Sequence, residues 1–214
     1  MTKYASLDKL IVKNSELSSL SQSIEAAIDV IIACYKNEGK VLVAGNGGSS
    51  SDSEHIIGEL LKGFNKKRPL SNDIKKQIED ESKNIDFGDM LERLQIGLPA
   101  ISLTSQCSIM TAVANDLGAD LIFAQQVIGL GKRNDVFIGL STSGNADNVC
   151  KAAIVANGLG LATISMTGEH GGKLSELSKI AIKAPAKITS EIQEYHLAIY
   201  HVICDAVESE FFEI

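Results

Sequence analysis

Four side chains on two stretches of the chain have the types and spacing to act together on a small polar molecule. His55 and Glu59 stand four residues apart, which places two side chains on one face of a helix. An imidazole and a carboxylate so arranged can hold a divalent metal or move protons. The same pair also occurs as a plain surface contact. Gln193 and His201 lie eight residues apart near the end of the chain. That is just over two helical turns, with a drift of only about 80° around the axis. His196, between them, reads as a core or interface imidazole.

Two loops add a second kind of chemistry. Ser141-Thr142-Ser143-Gly144-Asn145 follows an apolar run and opens a helix. Hydroxyls and free backbone N–H groups at a helix N-terminus form a cradle for an anion, with no lysine required. The competing reading is an ordinary Ser/Thr helix cap. The loop Gly45-Asn46-Gly47-Gly48-Ser49 allows close backbone approach to a ligand. It has Ser50 where a dinucleotide loop needs its third glycine, and it lacks a P-loop lysine, so a nucleotide site is poorly supported.

Short apolar runs must position these loops. Val41–Ala44, 99–104, 135–140, 161–166 and 180–184 read as strands. Helices are predicted over about 5–38, Glu54 to Phe64, the stretch ending at Ala114, 147–157 and 189–211. Strands alternating with helices imply one α/β domain over residues 1–214. Its architecture is a three-layer α/β/α sandwich on a parallel, doubly wound, flavodoxin-like sheet. Ligands bind such sheets outside the carboxyl ends of the strands, where both loops fall. Residues 69–97 read as an insertion of one or two helices, serving as a subunit contact, a lid or a loose loop.

The 214 residues carry a net charge of −7, which disfavours a nucleic-acid backbone as partner. Aromatic residues are 5% and tryptophan is absent, so base stacking is not the recognition mode. No run of about 18 apolar residues predicts a membrane span. The first twenty residues lack an apolar signal core. Four scattered cysteines without a CxxC pair read as reduced thiols of a cytoplasmic protein.

The order of motifs resembles the SIS (sugar isomerase) domain family, in its phosphoheptose isomerase branch. The matching words are VLVAGNGGSSSDSEH with Glu59, TAVANDLGADLIFAQQV, VFIGLSTSGNADNV, TISMTGEHGGKL and IQEYHLAIYH. The resemblance implies a homotetramer with sites shared between subunits, acting on a sugar phosphate through an enediol. It implies a divalent metal, zinc, at His55, Glu59, Gln193 and His201. Glu59 and His201 become the acid/base pair. Ser141, Thr142 and Ser143 become the phosphate loop, and Asn46, Gly47, Gly48 and Ser49 face the sugar, with Gln193 also at the substrate. The chain departs from the family pattern at Ala146, Gln106 and Glu191, and it has no arginine within Glu59–Phe64. The alternative is a non-catalytic SIS module that binds a protein, as replication-initiator-binding relatives do, or senses a sugar phosphate.

Overall fold

The apolar runs form five parallel strands in the computed structural model, which describes residues 2–82 and 85–212. They are β1 (Val41–Ala44), β2 (Ala100–Ser102), β3 (Val136–Leu140), β4 (Ala162–Thr167) and β5 (Ile180–Lys183). Along β1, Val41 and Val43 enter one core while Leu42 and Ala44 enter the other. This is the period of two expected of a strand. Every residue of β1 and β3 is buried, because helices cover both faces; that is why these strands read as unbroken apolar runs.

One helical layer holds α1 (Ala5–Lys13), α2 (Ser21–Lys36), α3 (Gly48–Leu61) and α10 (Thr189–Phe211). The other holds α6 (Cys107–Asp116), α7 (Ile122–Leu130), α8 (Asp147–Gly158) and α9 (Gly172–Leu177). Between α3 and β2 the chain makes an excursion through α4 (Asn72–Glu81) and α5 (Met90–Arg93). It leaves and returns at one point, where Pro69 bridges Gln95 and the Ile96 N–H donates to the Arg68 carbonyl at 2.7 Å. Residues 83 and 84 of the predicted insertion lie outside the described residues.

Three details differ from the sequence reading. The run predicted as helix over 5–38 is two helices joined by a 3-10 segment, Ser15–Leu20. Asn14 leaves helical geometry and its side chain donates back to the Leu10 carbonyl at 3.3 Å, the competition that makes Asn a poor helix residue. Ser15–Lys36 is long and apolar enough to span a bilayer by composition. Ile24, Ala27 and Ile28, at 0% exposure, instead place it in the core. Finally, α3 begins at Gly48 rather than at Glu54, so the glycine-serine loop is largely its first turns.

The strand order is β2-β1-β3-β4-β5. It reverses between β1 and β3, and the crevice for a ligand lies at the carboxyl ends of those two strands.

Candidate active site

The loops after β1 and β3 meet at that crevice. Asn46 and Asn148 exchange two side-chain hydrogen bonds, at 2.9 and 3.0 Å, and tie the first loop to the start of α8. The Ser141 N–H extends the sheet by donating to Met166 at 3.0 Å, and the Gly144 N–H closes a turn on the Ser141 carbonyl at 2.9 Å. Ser141 is buried, Thr142 half-buried and Ser143 exposed. Ala146, at the N-cap of α8, makes no side-chain cap bond. The helix N-terminus therefore meets the crevice without a capping hydroxyl of its own, and its N–H groups can turn to an anion.

Gly144 sets the shape of this cradle. Its φ is +67°, and a Cβ there would run into the Gly171 carbonyl. Any side chain must strain the backbone by of order 1–3 kcal/mol and push the 171–172 loop away. Gly144→Ala is accordingly expected to raise the KM for a sugar phosphate about tenfold or more, with a smaller effect on kcat. Steady-state kinetics checks this.

In the first loop, Asn46, Gly47 and Gly48 are exposed, whereas Ser49 is buried beneath them. A Cβ on Gly48 would collide with the Gln193 side-chain amide of α10. Gln193 therefore sits at the crevice mouth, against the start of α3.

The His and Glu side chains gather further along the same two helices. His55 Nε2 lies 3.0 Å from Glu59 Oε1, and His55 Nδ1 lies 2.9 Å from the Tyr200 hydroxyl. The His55 and His201 rings meet edge to face with centroids 5.0 Å apart. Ligand atoms of His55, Glu59 and His201 all fall within 4.8 Å of one another. His201 Nε2 is buried without a hydrogen-bond partner. Burial, and then the neighbouring His55, lower the pKa of His201, while Glu59 opposes them. These are borderline nitrogen and oxygen donors suited to zinc, and three of them leave a fourth position for water or substrate. An orphaned, neutral imidazole nitrogen in the cluster fits a cation there.

Gln193 stands further along α10. Eight residues separate it from His201, a rise of about 12 Å along α10. Likewise His55 and Glu59 lie about 10 and 16 Å down α3 from Gly48. His196 is fully buried, with Nε2 donating to the Thr167 carbonyl at 3.2 Å. Burial lowers its pKa to about 4, so it is a neutral core imidazole.

Sequence reasoning missed several groups around the cluster. Tyr200 donates to Asp52 Oδ1 at 3.3 Å as well as meeting His55. Arg68 and Glu208 form an ion pair at 2.8 Å with both side chains at 0% exposure. Arg68 also donates to the carbonyls of Glu59 and Leu60, at 3.1 and 2.6 Å, and so holds the last turn of α3. The available signals were slight: Asp52 precedes His55 by three residues and Tyr200 adjoins His201. Arg68 and Glu208 are 140 residues apart.

Comparisons with known proteins agree with this fold. The family model described as the SIS domain matches residues 7–86 and 81–168. A phosphoheptose isomerase of Helicobacter pylori (strain P12) is 39% identical over 195 residues, 91% of this chain and 88% of that protein. Among solved structures, phosphoheptose isomerase GmhA from Neisseria gonorrhoeae superposes with a TM-score of 0.74 at 30% identity, covering 96% of each chain. A phosphoheptose isomerase from Francisella tularensis gives 0.75 at 31% identity, covering 98% of this chain and 100% of the other.

Proposed function

The chain belongs to the SIS-domain family, among the phosphoheptose isomerases, and from that premise we propose that His55, Glu59 and His201 carry its chemistry. The protein is a phosphosugar isomerase that interconverts sedoheptulose 7-phosphate and D-glycero-D-manno-heptose 7-phosphate. The observation that supports the site most directly is the convergence of those three side chains within 4.8 Å.

An aldose–ketose shift moves a proton between C1 and C2 through an enediol. Glu59 takes the proton from C1 of the ketose and returns one at C2. His201, neutral because it is half-buried beside His55, moves the proton between the two substrate oxygens. A divalent ion, zinc, held by His55, Glu59 and His201 would supply electrostatic stabilisation of the negative oxygen. Ser141, Thr142, Ser143 and the N-terminus of α8 anchor the phosphate, so that binding energy orients the reacting carbons. Asn46, Gly47 and Gly48 meet the sugar hydroxyls, and Ser49 supports them from beneath.

The spacing along α10 supports sites shared between subunits, in the homotetramer that the family resemblance implies. Gln193 and His201 are about 12 Å apart along that helix, a long reach for one ion. Gln193 of a second subunit completes the set. Four free cysteines, three of them buried, support a cytoplasmic setting. The full acid/base set favours an enzyme over a purely binding SIS module.

The test is conversion of sedoheptulose 7-phosphate to the aldose. Conversion is expected, with a loss of about tenfold or more on chelation and recovery on adding Zn²⁺. No conversion of any seven-carbon ketose phosphate by the Zn²⁺-loaded protein would refute the reading.

A further inference from the structure

We propose that Asp52 and Tyr200 are positioning residues that fix the tautomer of His55, so that its Nε2 lone pair is aimed at a divalent cation shared with Glu59 and His201. The proposal rests on the reading of His55 as a metal ligand.

Asp52, His55 and Glu59 fall on one face of α3, and Tyr200 approaches them from α10. The Tyr200 hydroxyl is 2.9 Å from His55 Nδ1 and 3.3 Å from Asp52 Oδ1. A phenol has one proton to give, and a carboxylate can only accept. With that proton on Asp52, the tyrosine oxygen accepts from the His55 Nδ1–H. Nε2 is then left as the unprotonated nitrogen. It is Nε2 that faces Glu59 Oε1, at 3.0 Å.

The opposite arrangement has Tyr200 donating to Nδ1, with the imidazole proton on Nε2, from where it is donated to Glu59 Oε1 at 3.0 Å. That proton would close the nitrogen to a cation. It would also remove the one side-chain hydrogen bond that Asp52 makes among the described residues. Asp52 Oδ2 is already buried without a partner, so the half-buried carboxylate would lose its remaining side-chain hydrogen bond, a cost for a charged group. Asp52 thus selects the tautomer through Tyr200. Carboxylate partners that act on a ligating histidine in this way orient the ring and raise its basicity. Here a tyrosine is interposed. The Tyr200 ring also packs edge to face on His55, with centroids 5.5 Å apart at 78°, which holds the imidazole plane.

The experiment is Zn²⁺ affinity of the full chain by chelator competition, with the unfolding midpoint of each variant recorded alongside. Tyr200→Phe keeps the ring packing and loses only the hydroxyl; it is expected to weaken Zn²⁺ binding by about 10–100-fold. Asp52→Ala should cost a similar factor, and the double variant no more than either single one, since both act through one hydrogen-bonded chain. Asp52→Asn, whose amide oxygen can still accept from Tyr200, should recover most of the affinity without a matching change in midpoint. Wild-type affinity in Tyr200→Phe, or losses that multiply in the double variant, would overturn the proposal. His55→Ala separates the two levels. If it binds Zn²⁺ as tightly as the wild type, the ligand reading itself fails. If it binds weakly while Tyr200→Phe does not, only the relay fails.

Discussion

Replacing Glu59 with Gln is expected to lower kcat by about 10²–10⁴-fold, the usual contribution of a positioned general base. The substitution keeps the shape of the side chain and its hydrogen-bonding reach toward His55, now 3.0 Å away. It removes the one property that proton abstraction requires. The phosphate cradle is built by the loop after β3 and the N-terminus of α8, without Glu59, so KM should stay within a few-fold of the wild-type value. A loss in kcat with KM retained is the pattern of an interaction made in the transition state. Because Glu59 is also a proposed cation ligand, the Zn²⁺ content of the same sample must be measured. A large loss of kcat in fully loaded protein assigns the proton transfer to Glu59. An unchanged rate would remove it from the chemistry.

The parts of this architecture that were legible in the sequence share a physical cause: they are encoded locally. β1 and β3 are buried on both faces, so each strand announces itself as an apolar run between polar turns. His55 and Glu59 were found because four residues on a helix always share a face. Gln193 and His201 show the limit of that logic. They differ by about 80° around the axis and by about 12 Å along α10, so spacing in the sequence does not by itself bring two side chains to one ion. The glycines of the first loop misled in another way. They suggested irregular backbone, yet α3 starts at Gly48, where the missing Cβ makes room for Gln193. Asp52 and Tyr200 left only the slight signal of standing near His55 and His201 in the chain, since the contact that joins them exists only when α3 and α10 pack together. The burial of Arg68 depends on Glu208, 140 residues away, and no local pattern joins the two.

Replacing Arg68 with Met is expected to destabilise the fold by about 3–5 kcal/mol, because it strands Glu208 as an uncompensated charge in the core. For a chain of this size that is a fall in Tm of roughly 6–20 °C. Glu208 accepts from the Phe64 and Asn65 N–H groups, at 2.8 and 2.7 Å, and from Arg68 Nε at 2.8 Å. Burial alone pushes its carboxyl up. The two backbone donors and the guanidinium outweigh that burial and hold the pKa below the ordinary 4.5. The stability they confer is complete above the unfolded carboxylate value and is lost as pH falls from there through the folded one. Acid unfolding of the wild type should therefore steepen below about pH 4.5, and Arg68→Met should blunt that dependence. Pairing Arg68→Met with Glu208→Leu removes both charges and should recover much of the loss. Guanidinium or thermal melts of the three proteins decide the matter: a single variant as stable as the wild type would show that the pair is not what anchors α3 to α10. The consequence reaches the active site. Arg68 holds the carbonyls of Glu59 and Leu60, so the clamp that stabilises the fold is also the one that fixes the backbone beneath the carboxylate proposed as the base.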